Sequence, residues 1–306
     1  MNETISPPEH KPRHTPSELW GKSALAMAGL ALLLALTALY FALPRPEPEE
    51  PEPDPVPETE TILYRGQELP VWEDVPVNTY QPSDFFVGPN GWLNYEKDGQ
   101  KAAVGVDVSF YQGDIDWQKV AASGVDFAII RLGYRGYSKG VLQMDSKFEQ
   151  NIQGALDAGL EVGVYFFSQA VNTWEAEEEA DFVLQAIEPY PVTYPVVFDW
   201  EFVSGDEVRT SSLEGDALTR CAGVFCDMVQ AEGYRPMIYF NQDLGYLSYN
   251  LSALKQYPFW LAQYSNAPTF YYDFDLWQYS HTGTVPGIEG NVDLDLAFPK
   301  DEGSAD

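Results

Sequence analysis

Apolar residues occur along this chain in two different arrangements. From Ala24 to Leu43 they run almost unbroken and uncharged (ALAMAGLALLLALTALYFAL). From Val104 onward they come as short, strand-length runs that alternate with stretches of helical periodicity. AVGVDVS predicts a strand, and Asp114 to Ala122 (DIDWQKVAA) a helix with Asp at its start. VDFAIIRLGY is the next strand, followed by a helix from about Asp145 to Ala158. LEVGVYFFS is another strand, after which Thr173 caps a helix running towards Ile187. TYPVVFDWEF is a strand and Leu213 to Glu232 a helix; PMIYF, FWLAQY, DLWQYS and NVDLDL follow as further strands. Repeated β-then-α alternation predicts parallel strands in an α/β barrel or open sheet. About eight strands, with few helices late in the series, favour an irregular, TIM-like (β/α) barrel.

The first apolar run has a different use. About twenty residues at 1.5 Å each cross a hydrocarbon core of roughly 30 Å. Lys11, Arg13 and Lys22 precede it, whereas a single Arg45 follows before an acidic run begins. The positive-inside rule therefore places residues 1–22 in the cytoplasm and the chain after the anchor, 23–43, outside. A cleaved signal peptide would have a shorter apolar region, about 7 to 15 residues, and a small-X-small exit. Here Tyr40 stands where a small residue is wanted before Ala42, so an uncleaved anchor is expected. Residues 44–60 (PRPEPEEPEPDPVPETE) alternate proline with acid and form an extended spacer that cannot bury a core. Residues 61–103 show no helical period, and Asp98-Gly99 between WLNYE and KAAVGV marks a hairpin in a small β-rich extension. A domain over 104–299 and a tail over 300–306 complete the expected organisation.

Composition narrows the chemistry. A formal net charge of −30 argues against nucleic acid, whose binding rests on Lys and Arg, and against anionic lipid surfaces. Cys221 and Cys226 lie five residues apart in one predicted helix, a poor geometry for a bridge, so buried thiols are expected. His10 and His14 belong to the cytoplasmic tail, leaving His281 outside; this argues strongly against a Ser-His-Asp triad and against a zinc site built on two or more histidines.

The polar positions that remain are carboxylates at strand ends. In VVFDWEF, strand alternation points Asp199 and Glu201 to one face. Asp107 in GVDVS and Asp293 in NVDLD occupy similar places, and in a parallel barrel such ends share the rim where active sites form. Paired carboxylates are the equipment of glycoside hydrolysis, one protonating the leaving oxygen and the other handling positive charge. Tyr134, Tyr165, Phe167, Trp200, Tyr239, Trp260, Tyr264 and Trp277 also sit near strand ends. Aromatic faces stack on sugar rings, but many core aromatics simply pack, so about half of these are expected to line a cleft.

Taken together, GVDVSFYQGDIDWQKV, FAIIRLGYRGY, EVGVYFFSQA, YPVVFDWE, WLAQYS and LWQYSHTGTVPGIEGNVDLD resemble glycoside hydrolase family 25, the muramidases (lysozymes of the fungal and phage type). The resemblance covers about Val104 to Phe298 in order. It implies an irregular α/β barrel that cleaves the β-1,4 bond between N-acetylmuramic acid and N-acetylglucosamine, with no cofactor or metal. By this resemblance Glu201 is the general acid. Asp199 assists the substrate's 2-acetamido group or stabilises the anomeric cation, and Asp107 and Asp293 are the remaining rim acids. Tyr134, Tyr165, Phe167, Trp200, Tyr239, Gln263, Tyr264 and Trp277 are then candidates for substrate contact. The implied partners are peptidoglycan glycan strands, met by a monomer held to the membrane through its N-terminal helix. Two positions depart from the pattern: Phe110-Tyr111 replaces a frequent histidine, and Asp295 stands where Asn is common. A peptidoglycan-binding module of weak activity, or a glycosidase of chitin-like polymers, are the alternatives.

Overall fold

The computed structural model describes residues 16–42 and 60–299. The chain divides into two units, Met1–Glu58 and Thr59–Asp306. Most of the expected cytoplasmic tail, the spacer apart from Glu60, and the tail over 300–306 lie outside the described residues.

In the first unit, α1 spans Pro16–Ala42. Its Ala24–Ala42 part has a mean hydropathy of 2.2 over 19 residues and no buried surface. At 1.5 Å per residue this stretch is about 29 Å long.

The second unit is built around a closed barrel. An N-terminal extension comes first: a hairpin of β1 (Thr61–Tyr64) and β2 (Gln67–Pro70), then a sheet of β3 (Phe85–Val87), β4 (Leu93–Lys97) and β5 (Gln100–Lys101). The Asp98-Gly99 turn joins β4 to β5 with both residues at positive φ, 53° and 82°, the conformation that two-residue hairpin turns demand. The barrel strands are β6 (Ala103–Val108), β7 (Phe127–Arg135), β9 (Glu161–Ser168), β10 (Val196–Trp200), β11 (Pro236–Asn241), β12 (Phe259–Ala262), β13 (Leu276–Gly283) and β14 (Val292–Ala297). A short β8 (Leu142–Met144) folds back on β7. Spatial order is β6-β14-β13-β12-β11-β10-β9-β7, and β7 pairs with β6 to close the ring.

Helices α2 (Trp117–Ala122), α3 (Phe148–Asp157), α4 (Thr173–Ile187) and α5 (Gly215–Ala231) fill the early crossovers, and the short α6 (Gln242–Leu247) follows β11. The cap of α4 is Asn172, whose side chain accepts the Glu175 N–H; Thr173 is the first helical residue instead. Cys221 and Cys226 are buried thiols on α5.

One expectation needs correction. The barrel is not wholly parallel: β14 runs antiparallel to both β13 and β6. A short turn rather than a helical crossover joins β13 to β14, and only an antiparallel partner can be reached that way. The late strands thus lack covering helices, and the extension covers them. Tyr80 stacks on Phe298 at 4.0 Å, Phe85 meets Trp277 edge-on at 5.3 Å, and Tyr95 meets Phe298 at 5.0 Å. The Tyr80 hydroxyl donates to Phe274 O, and Trp92 Nε1 to Thr284 O.

Strand alternation sorts the core into two layers. Val106, Val108, Phe166, Phe198 and Trp200 face outward to the helices and the extension. Phe127, Ile129, Val197, Met237, Tyr239, Trp260 and Leu276 fill the barrel interior. Gly105 leaves room for one of them, since a Cβ there would lie 2.1 Å from the Phe127 ring.

Candidate active site

The interior packing ends below one rim, where a polar cavity of about 170 Å³ opens, lined by Asp107, Tyr165, Asp199, Glu201, Tyr239, Trp260, Tyr264, Gln278 and Asp293. The four acids legible in the sequence are therefore together. Asp107 and Asp199 end inward-facing columns on β6 and β10, and Glu201 continues the second column just past the strand. Asp293 reaches the same rim by another route. It lies at the start of antiparallel β14, directly opposite Asp107 in register.

This is a crowded set of negative groups. Asp107 and Asp199 are 5% and 4% exposed. Burial pushes both carboxyls well above the usual carboxylate range, with the charge of Asp293 adding to the effect on Asp107 and that of Glu201 on Asp199. Burial, then Asp293, raises Glu201 as well. Asp293 is pushed up to about 6 by burial, partly offset by His281 and by a hydrogen bond from Asp107. Arg131 on β7 opposes the rise of Asp199. Its guanidinium is held by Asp145 at 2.7 Å and flanked by the rings of Phe110, Tyr111 and Tyr134. Among the described residues, no group of three or more His, Cys, Asp or Glu side chains is arranged to hold a metal ion.

The polar partners are specific. Gln278 Nε2 donates to Asp107 Oδ2 at 2.8 Å, while its Oε1 accepts from the hydroxyls of Tyr239 and Tyr264, both at 3.1 Å. Gln169, buried at the end of β9, donates to the backbone oxygen of Glu201 at 2.9 Å and accepts from Thr210 Oγ1. It thereby pins the segment that carries Glu201. Asp199 Oδ1 is buried and receives no hydrogen bond among the described residues.

The aromatic candidates divide. Tyr165, Tyr239 and Tyr264 line the cavity. Phe167, in register with Asp199, is half-buried further along β9, and Tyr134 covers Arg131. Trp200 and Trp277 belong to the packed outer layer, because each alternates with an inward-facing acid or amide. The Trp277 indole donates to Gln263 O, and the Gln263 side chain ties a loop through Thr269 rather than reaching the cavity. The glutamine that does reach it is Gln278, which the resemblance had not singled out although it lies in the quoted LWQYS segment. Also missed was Phe202, an exposed ring in the loop just past β10. Solvent-facing aromatics in loops carry no periodic signal by which a sequence could announce them.

Residues 106–288 match the family model described as glycosyl hydrolases family 25. The chain belongs to this family. It is 31% identical over 205 residues to lysozyme M1 of Streptomyces globisporus, covering 62% of this chain and 65% of that protein. It is 27% identical over 192 residues to the autolytic lysozyme of Clostridium acetobutylicum, covering 62% of this chain and 54% of that one. The chain thus spans just over half to about two thirds of the length of these relatives. A solved family 25 glycosyl hydrolase from Bacillus anthracis superposes with a TM-score of 0.57 at 25% identity, over 68% of this chain and 94% of its own. The family fold accounts for the barrel; the extension over 61–101 lies outside the segment that the family model matches.

Proposed function

We propose that this chain is a membrane-anchored muramidase that hydrolyses the β-1,4 bond between N-acetylmuramic acid and N-acetylglucosamine in peptidoglycan. The observation that carries this reading is the convergence of Asp107, Asp199, Glu201 and Asp293 on one cavity, with Glu201 raised by its surroundings. A general acid must hold its proton near neutrality, and burial beside other carboxylates supplies that. Glu201 protonates the glycosidic oxygen. Asp199, deeper and with a free acceptor in Oδ1, accepts the N–H of the 2-acetamido group as its oxygen closes on the anomeric carbon. Asp107 and Asp293 keep the acidity of this pair in range. Tyr165, Tyr239 and Tyr264 are the candidates for contact with the sugar.

The relatives named lysozyme support the substrate assignment. The length and apolarity of Ala24–Ala42 support a single span, and the basic residues before it support a cytoplasmic N-terminus with the barrel outside. The test is release of new reducing ends from purified peptidoglycan by the full chain in detergent, beside Glu201→Gln. No release by the wild type would refute the reading.

A further inference from the structure

Below the four rim acids lies a fifth. Asp295 follows Asp293 by two positions on β14, so it points the same way, one pleat deeper into the barrel. It is wholly buried. Its register partners are Gly105 on β6 and Gln278 on β13, and the Phe127 ring fills the space over Gly105. Asp295 Oδ1 accepts the Trp260 indole N–H at 3.0 Å. Oδ2 is shut off from solvent and receives no N–H or O–H donor among the described residues. Asp107 is its diagonal neighbour across β6 and β14, on the same inward face, and the two carboxyl groups are in side-chain hydrogen-bonding contact. Two carboxyl groups can hydrogen-bond only with a proton between them.

The surroundings decide which one carries it. From β6 the group facing Asp295 is Asp107, and from its own strand Asp293. From β13, Gln278 is neutral and Tyr279 is a phenol held protonated by burial. From β12, Trp260 offers only its N–H. The basic side chains that act on the cluster do so at other acids: Arg131 pairs with Asp145 and acts on Asp199, and His281 acts on Asp293.

We propose that Asp295 is a positioning residue, a neutral carboxylic acid that donates a standing hydrogen bond to Asp107 and so fixes the orientation of that rim acid. Burial and the charges of Asp107 and Asp293 keep Asp295 well above the usual carboxylate range, whereas the bonds from Gln278 and Asp295 act on Asp107 in the opposite sense. Asp107 is then flanked by two neutral donors, one amide and one acid. The barrel floor contributes a hydrogen bond to the site without adding a charge.

This inference rests on the muramidase reading for its kinetic arm. Asn at position 295 keeps the acceptor for Trp260 and supplies an N–H in place of the acid proton; Leu supplies neither. The full chain in detergent is compared as wild type, Asp295→Leu and Asp295→Asn, with circular dichroism to confirm folding. Asp295→Leu is expected to lower kcat about tenfold to a hundredfold and to move the acid limb of the pH–rate profile upward, as Asp107 loses a donor. Asp295→Asn is expected to rescue both kcat and the profile. An Asp295→Asn profile displaced to lower pH would overturn the proposal, because it would mean that a negative charge had been removed. Infrared difference spectra at pH 7 provide a readout that needs no turnover. Among the protonated-carboxyl bands one should be missing in Asp295→Asn relative to the wild type, and a featureless wild-type-minus-variant difference in that region would equally overturn the proposal. Failure of the wild type to cleave glycan would sink the muramidase reading while leaving the infrared result to decide Asp295.

Discussion

Asp107 and Asp293, far apart in the chain, stand directly opposite one another across β6 and β14. That pairing exists because β14 is antiparallel, so its first residues meet the last residues of β6 at the rim. A parallel β14 would put Asp293 at the far end of the barrel. The irregular strand direction is therefore what completes the acid cluster.

If Glu201 is the general acid, Glu201→Gln should lower kcat about a hundredfold to ten-thousandfold with little change in folding. Release of soluble glycan fragments from purified walls, with circular dichroism alongside, measures this. Turnover near that of the wild type would remove Glu201 from the role.

Asp199→Asn should also cost roughly a hundredfold or more in kcat, since the developing positive charge would lose its carboxylate partner. KM should change much less. A variant with a raised KM and unaltered kcat would make Asp199 a binding residue only.

The pH profile follows from the same cluster. As the proposed general acid, Glu201 would have to be protonated to act, so activity should fall as pH rises through its elevated pKa. The negative charge of Asp293 contributes to that elevation. Asp293→Asn removes the charge, lowers the pKa of Glu201, and should move the alkaline limb to lower pH. A limb that stays put or moves upward would contradict the assignment.

The same substitution should alter stability in the opposite sense to activity. Asp293 has a folded-state value of about 6 against 3.8 when unperturbed, so the folded form binds its proton more tightly than the unfolded chain. The associated stability is fully present below pH 3.8 and is lost as pH rises through 6. Burying the charge therefore costs at most about 3 kcal/mol at neutral pH. Asp293→Asn should raise the unfolding midpoint at pH 7 and leave it nearly unchanged at pH 3, which thermal melts at the two pH values would show.

Most of this was legible in the sequence, for identifiable reasons. Helices and strands followed from hydrophobic period, and the Asp98-Gly99 hairpin from its turn residues. The acids were visible because a charged residue at the end of an apolar run is conspicuous. Trp200 and Trp277 were misjudged because nearness to a strand end says little about facing. Alternation with Asp199 and Gln278 turns both indoles outward. Gln278 was passed over because a neutral amide inside a strand has no pattern of its own; its role appears only once Asp107, Tyr239 and Tyr264 surround it. The direction of β14 was likewise hidden, since strand periodicity is the same for parallel and antiparallel pairing.

The extension offers a test of architecture. Tyr80 packs between Tyr95, Phe274 and Phe298 where the barrel has no covering helix. Tyr80→Ala should destabilise the domain, by less than the ~3–5 kcal/mol of a fully buried aromatic truncation because Tyr80 is only partly buried, with kcat unchanged. Deleting residues 1–59 should leave a soluble folded domain, and deleting residues 1–102 should not. A folded product from the longer deletion would show that the extension is dispensable.

The central claim is the bond that is cut. Purified peptidoglycan should be digested with the full chain and with Glu201→Gln, and the products reduced with borohydride and identified by mass spectrometry. The account predicts reduced ends at N-acetylmuramic acid with the wild type and none with the variant. Reduced ends at N-acetylglucosamine, or no cleavage of any wall type, would contradict it.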